Sequence, residues 1–234
     1  MNLTPELVAL VHRHVEDTGP DPGRQPLTEE DYEQLVSTLL ATRPTGSPVW
    51  VFAYGSLLWK PGFTHVEEQS GRLIGWHRSF CFSQKRFRGT PDCPGLMLSL
   101  DRGGECRGLL LRFAEDTLKR ELDGLFRREM TLKPLNHAPR WIRVRTLDGT
   151  VPAFTFVSSR QSPSYVGKLP PERVADVLAV ACGHVGSGAA YLYDTVTRLR
   201  ALGIEDRGLW NLQSLVAERI RRECQTSSAG AKGA

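Results

Sequence analysis

The sequence predicts an α+β fold in which strands and helices are grouped rather than alternated in the way that builds a parallel sheet. Three observations lead there. Short apolar or alternating runs follow one another over residues 49–113 with no helical pattern among them. One amphipathic helix, over 115–130, then intervenes before strand character resumes on both sides of Asp148-Gly149, a strong hairpin signal. Beyond Pro170-Pro171 the apolar positions recur at helical spacing. A chain of 234 residues, 40% hydrophobic, can bury a full core, as one large domain or two small ones.

Taken in order, Thr4, Pro5 and Glu6 form a helix start, and Leu7, Leu10, Val11 and His14 carry the pattern over residues 4–18. Gly19-Pro20-Asp21-Pro22-Gly23 stops it. A second helix follows Thr28, with Tyr32, Leu35, Val36, Leu39 and Leu40 on one side. With the breaker-rich stretch Pro44-Thr45-Gly46-Ser47-Pro48 they make an N-terminal arm and linker, residues 1–48, expected to pack onto the core domain or cover one of its edges. Strands are expected at 49–53, 68–76, 80–84, 95–100 and 107–113, with Asp101-Arg102-Gly103-Gly104 as a tight turn, and then at 141–146 and 153–157. Val174, Val177, Leu178 and Ala181 mark one C-terminal helix. Leu192, Val196 and Leu199 mark a second, and Leu209, Leu212, Val216 and Ile220 a third, capped by Asp206. Gly183-His184-Val185-Gly186-Ser187-Gly188 lacks the Lys-Ser/Thr of a phosphate loop and follows no strand, so it reads as a turn. The main domain spans 49–222, and the small polar residues that follow make 223–234 a flexible tail.

Composition excludes several function classes. No run approaches the ~20 apolar residues of a membrane span, and the N-terminus lacks the basic flank and apolar core of a signal peptide. A cytoplasmic location is expected. Five scattered cysteines, Cys81, Cys93, Cys106, Cys182 and Cys224, without a Cys-x-x-Cys or paired-histidine spacing, argue against zinc and against a disulfide framework. Cys81 and Cys182 lie among apolar residues, as small core residues do. A nucleophilic cysteine needs a neighbouring base, and none is evident. The net charge of +4 comes largely from Lys85-Arg86-Phe87-Arg88 and from Arg219, Arg221 and Arg222. Solvated faces account for such clusters, and the first is also suited to attract an anionic substrate.

Two places carry chemistry. Val51, Phe52 and Ala53 run into Tyr54-Gly55-Ser56-Leu57, a strand that ends in a loop where glycine lets backbone N–H groups come close to a carboxylate or oxyanion. On the helix over 115–130, Leu118, Leu122, Leu125 and Phe126 form an apolar stripe whose next position is Glu129. A carboxylate on that side is costly unless paired or hydrogen-bonded. Periodicity leaves two arrangements open: Glu129 projects from the core-facing side, or it turns out to pair with Arg127, Arg128 or Arg143.

The run Tyr54-Gly55-Ser56-Leu57-Leu58-Trp59-Lys60-Pro61-Gly62-Phe63 resembles the opening signature of the ChaC-like γ-glutamylcyclotransferases. Further resemblances follow in the same order: Arg88-Gly89-Thr90-Pro91 with Pro94-Gly95, Cys106-Arg107-Gly108, and Phe126-Arg127-Arg128-Glu129. The likeness covers about residues 49–222. It implies a small closed barrel with helices packed around it, and cleavage of glutathione to 5-oxoproline and Cys-Gly, with no metal or organic cofactor. It implies Glu129 as the proton carrier, the Tyr54-Gly55-Ser56-Leu57 loop as substrate and oxyanion binder, and Arg88 and Tyr165 as further substrate contacts. Tyr165 has a second reading, as a loop aromatic covering the core edge. The expected partner is thus a small γ-glutamyl peptide, with no nucleic acid or membrane, and the expected state a monomer or homodimer. Two alternatives stand beside this: a cyclotransferase for other γ-glutamyl amino acids or amines, and a non-enzymatic cation-transport regulator. The sequence departs from some relatives in lacking glycines directly after Glu129 and an asparagine near Ser187-Gly188.

Overall fold

A computed structural model describes residues 1–20 and 23–230. The chain divides into two compact units, one of Pro22–Ser79 and Leu98–Tyr165, the other of Met1–Asp21, Phe80–Met97 and Val166–Ala234.

The first unit contains β1 (Gln25–Pro26), α2 (Glu29–Ala41), β2 (Trp50–Ala53), a 3₁₀ turn (Ser56–Leu58), most of β3 (His65–Gln84) and β4 (Gly95–Phe113), α3 (Leu118–Glu129), β5 (Leu132–Lys133), β6 (His137–Thr146) and β7 (Gly149–Ser158). β1 pairs with β5, while the other strands close a barrel in the order β2-β4-β3-β6-β7. β2 runs antiparallel to β4, Trp50 facing Arg112 and Ala53 facing Leu109, and Val51 meets Phe154 of β7 in parallel, which closes the ring. β6 and β7 form the hairpin signalled by Asp148-Gly149, with Thr146 opposite Gly149. Thr155 Oγ1 donates to the Phe52 carbonyl at 2.8 Å.

Phe52, Phe113, Phe126, Phe154 and Phe156 are all fully buried. Phe154 stands 6.0–6.2 Å from the rings of Phe113, Phe126, Trp141 and Phe156. Each such ring contributes roughly 1.5–3 kcal/mol by burial. The stripe on α3 supplies Leu118, Leu122, Leu125 and Phe126 to this core. α2 lies on α3: Thr28 and Asp31 form a capping box, Tyr32 donates to the Met130 carbonyl at 2.9 Å, and Trp141 Nε1 donates to the Leu39 carbonyl at 3.1 Å. Close backbone approach also selects Gly108 on β4. A Cβ there would sit 2.2 Å from the Ala53 carbonyl oxygen and 2.9 Å from the Phe52 ring.

The second unit is helical: α1 (Pro5–Val11), α4 (Pro171–Val180), the short strands β8 (Cys182–Gly183) and β9 (Gly186–Ser187), α5 (Gly188–Ala201) and α6 (Arg207–Gly230). Val174, Leu178, Leu192, Val196, Leu199, Leu209, Leu212, Val216 and Ile220 form its core, as their spacing predicts. Buried Gln213 on α6 accepts the N–H groups of Asn2 at 2.9 Å and Leu3 at 2.8 Å through one amide oxygen. The expected turn at Gly183–Gly188 is the β8–β9 hairpin, and Ser187 caps α5. All five cysteines are free, Cys81 and Cys182 both fully buried.

Four elements differ from expectation. The runs 68–76 and 80–84 are one strand, β3. The runs 95–100 and 107–113 are also one, β4, because Asp101-Arg102-Gly103-Gly104 bends within it instead of reversing the chain. Gly103 and Gly104 take up the bend at φ 103° and 67°. α1 ends at Val11, leaving Leu10 62% exposed and His14 outside the helix. Tertiary contacts override local pattern there: Arg13 Nη1 donates to the Val180 carbonyl at 2.9 Å, and the Arg13 carbonyl lies 3.5 Å from Cys182 Sγ. α6 continues through Gly230, into the stretch expected as a tail. Asp21 and Pro22 of the expected helix stop, and residues 231–234 of that tail, lie outside the described residues.

Candidate active site

At the end of β2, buried Tyr54 leads into a tight helical turn. Its carbonyl accepts from Arg78 Nε at 2.6 Å. Gly55 has φ −127° and ψ −127°, and its carbonyl accepts from the Leu58 N–H at 2.9 Å, while Ser56 O accepts from Trp59 N–H at 3.1 Å and Lys60 N–H at 2.8 Å. A helical turn leaves its opening N–H groups without acceptors of its own, and here the Leu57 N–H is one of them. The turn is therefore fixed at its carbonyls, with donor capacity at its start.

Glu129 is the last residue of α3, its side chain 16% exposed. It combines the two arrangements that periodicity left open, since it stays close to the core-facing stripe and also pairs with Arg128, whose Nε stands 3.4 Å from its Oε1. The backbone at this point is fixed as well. His137 Nε2 lies 2.8 Å from the Glu129 carbonyl, which makes Nε2 the protonated nitrogen, because a carbonyl only accepts. The rest of the Arg128 guanidinium turns to the loop after β2: Nη2 donates to Ser56 Oγ at 3.2 Å, and Nη1 to the carbonyls of Pro61 at 2.9 Å and Lys60. One cation thus joins Glu129 to Ser56. A carboxylate so held keeps acceptor capacity with which to take and return a proton.

The other two expected residues have different surroundings. The Tyr165 hydroxyl donates to Asp101 Oδ2 at 2.8 Å, and Asp101, 4% exposed, also accepts from Arg160 Nε at 2.9 Å and the Arg102 N–H at 2.8 Å. Burial pushes the Asp101 carboxyl up, but the bonds from Tyr165, Arg102 and Arg160 outweigh it and hold the group below the usual carboxylate range. Tyr165→Phe leaves that buried oxygen short of a donor, and is expected to destabilise the protein by about 1–3 kcal/mol at pH 7. A depressed carboxyl contributes stability above its unfolded pKa, which is lost as pH falls through the folded value. Urea unfolding of the two proteins should therefore converge as pH drops below about 4.

Arg88 belongs to the second unit, within Phe80–Met97. Its Nη1 donates to the Ser187 carbonyl at 2.9 Å, and its guanidinium lies 5.1 Å from the centre of the Tyr191 ring. Burial draws its pKa down. It follows Phe87, the one described non-glycine residue with positive φ, at 64°. Neighbouring Arg86 is held by both oxygens of Asp17, at 2.7 and 2.6 Å. Sequence reasoning missed Arg78, Asp101 and His137, and weighed Arg128 only as a partner that would draw Glu129 away. Among the described residues no three His, Cys, Asp or Glu side chains are gathered as metal ligands, and no helix is long and apolar enough to cross a membrane.

A model of the ChaC-like protein family matches residues 49–219. The chain belongs to the ChaC-like family. Among ChaC-like relatives, the glutathione-specific γ-glutamylcyclotransferase of Escherichia coli K12 is 39% identical over 184 residues, spanning 77% of this chain and 79% of that protein. The human glutathione-specific γ-glutamylcyclotransferase 1 is 26% identical over 198 residues, 80% and 87% of the two chains. The crystal structure of a glutathione-specific γ-glutamyl cyclotransferase from yeast superposes with a TM-score of 0.67 over 74% of this chain and 97% of that one. At 18% identity this last likeness shows the fold, the barrel with surrounding helices.

Proposed function

We propose that the protein is a γ-glutamylcyclotransferase that cleaves glutathione to 5-oxoproline and Cys-Gly. One observation carries the chemistry: the carboxylate of Glu129 and the hydroxyl of Ser56, at the turn that ends β2, share the guanidinium of Arg128. The E. coli and human relatives, named for glutathione, support the substrate.

A γ-glutamyl amide carries its own nucleophile. Its α-amino nitrogen attacks the γ-carbonyl carbon and closes a five-membered ring, so much of the barrier is lowered by intramolecular proximity. Glu129 takes the proton that the amine must lose. The carbonyl oxygen of the tetrahedral intermediate is received by N–H groups of the Tyr54-Gly55-Ser56-Leu57 turn. The bond between the γ-carbon and the cysteinyl nitrogen then breaks as Glu129 returns the proton to that nitrogen, releasing Cys-Gly. One carboxylate serves as base and then as acid. Tyr165 and Arg88 are proposed as polar and cationic partners of the substrate, and the cytoplasmic location and the monomeric or homodimeric state belong to the same proposal.

The test is direct: purified protein incubated with glutathione, with 5-oxoproline and Cys-Gly followed together. Failure to form both from glutathione would exclude the reading. Since the steps above use only a carboxylate and backbone donors, activity is expected to survive exhaustive dialysis against a chelator. A loss reversed by one particular metal ion would show a ligand set outside this scheme.

A further inference from the structure

Side chains one apart on a helix diverge by about 100°, so neighbours normally do not meet. Arg128 and Glu129 do meet, at 3.4 Å, at the last turn of α3. What draws Arg128 toward that point is the loop after β2, which wraps the guanidinium with the hydroxyl of Ser56 and the carbonyls of Lys60 and Pro61. Gly62 closes the wrap at φ 76°, and a Cβ on it would stand 2.6 Å from Arg128 Nη1. All three guanidinium nitrogens are therefore engaged, two on the loop and one on the carboxylate. A planar fork of this kind fixes direction as well as charge, which an ammonium does not.

From this geometry we infer that Arg128 is a positioning residue for the cyclisation, setting the Glu129 carboxylate in register with the turn that opens at Ser56. The inference rests on the reading given under Proposed function. It assigns Arg128 neither substrate contact nor proton transfer. Its effect passes through Glu129 and the turn, two groups that must act on one substrate at the same moment, and a misplacement of about 1 Å in such a pair costs up to roughly 10²-fold in rate.

The experiment compares wild type, Arg128→Lys, Arg128→Ala and Gly62→Ala on glutathione, with Glu129→Gln as the control in which the proton carrier itself is gone. Arg128→Ala is expected to lose ~10- to 100-fold in kcat, with KM for glutathione changed less than about threefold, because orientation rather than binding is removed. Arg128→Lys should recover little of it. Millimolar methylguanidinium should restore turnover to Arg128→Ala and leave Glu129→Gln unchanged, a response that a purely structural role would not give. Gly62→Ala keeps every functional group and should lower kcat in the same direction, so the inference stays testable if Arg128→Ala folds poorly. Wild-type kcat in Arg128→Lys or in Gly62→Ala would overturn the inference, as would an effect on KM alone or a folded Arg128→Ala that methylguanidinium does not rescue. Wild type inactive on glutathione would overturn the proposed function, and this inference with it. Active wild type beside indifferent variants would overturn the inference alone.

Discussion

Glu129→Gln is expected to reduce turnover of glutathione by at least ~10²-fold, the scale of general acid–base catalysis, while the protein remains folded. The amide keeps the size and shape of the side chain, and the His137 bond is to the backbone carbonyl, which the substitution leaves in place. What disappears is the capacity to take a proton from the α-amine and return it to the cysteinyl nitrogen. The measurement is steady-state release of 5-oxoproline beside thermal unfolding of both proteins. A folded Gln variant with near-normal kcat would remove Glu129 from the chemistry.

The second large effect is expected at Gly108, where the change is made to the backbone rather than to a reacting group. A methyl group there would lie 2.2 Å from the Ala53 carbonyl oxygen, well inside contact distance, and neither strand can yield cheaply because β2 and β4 are paired from Trp50 to Ala53. Gly108→Ala should destabilise the protein by about 1–3 kcal/mol, the usual cost of overpacking. It should also lower kcat, because the residue displaced directly precedes Tyr54. Urea unfolding measures the first effect and glutathione turnover the second. Unchanged stability would mean that β2 can shift outward without loss, contrary to the packing described.

Much of the barrel unit was legible because its elements obey their own periods. The α3 stripe, the Asp148-Gly149 hairpin and the break at Tyr54-Gly55-Ser56 each announce themselves locally, and the resemblance supplied the closure of the barrel, which no local pattern encodes. The failures share a cause, in that tertiary partners decided them. Gly103 and Gly104 look like a chain reversal until β4 is seen to continue through them. Leu10 and His14 fit a helical face, yet the chain leaves the helix at Val11 and Arg13 bonds to Val180. Around Glu129, periodicity found the carboxylate but presented Arg128 as a rival to the core-facing position. The spatial solution satisfies both, since the guanidinium also needs acceptors and finds them on Ser56, Lys60 and Pro61. Asp101 looked like a turn residue and is instead a buried acceptor, because its donors come from Tyr165 and Arg160, some 60 positions later.

The hydrogen bonds from Asn2 and Leu3 to Gln213 span more than 200 residues, and they set a timetable for the nascent chain. A ribosome delivers Asn2 and Leu3 some 200 residues before α6. The barrel unit, Pro22–Ser79 with Leu98–Tyr165, has all its sequence once Tyr165 has emerged. The helical unit is assembled from Met1–Asp21, Phe80–Met97 and Val166–Ala234, so it must wait until α6 has emerged as well. Contacts of such long sequence separation form slowly, because the intervening chain has to be closed into a loop before they can be made. Until then Leu3 and, on α1, Val11 stay uncovered, and a segment translated early is among the last to find its place.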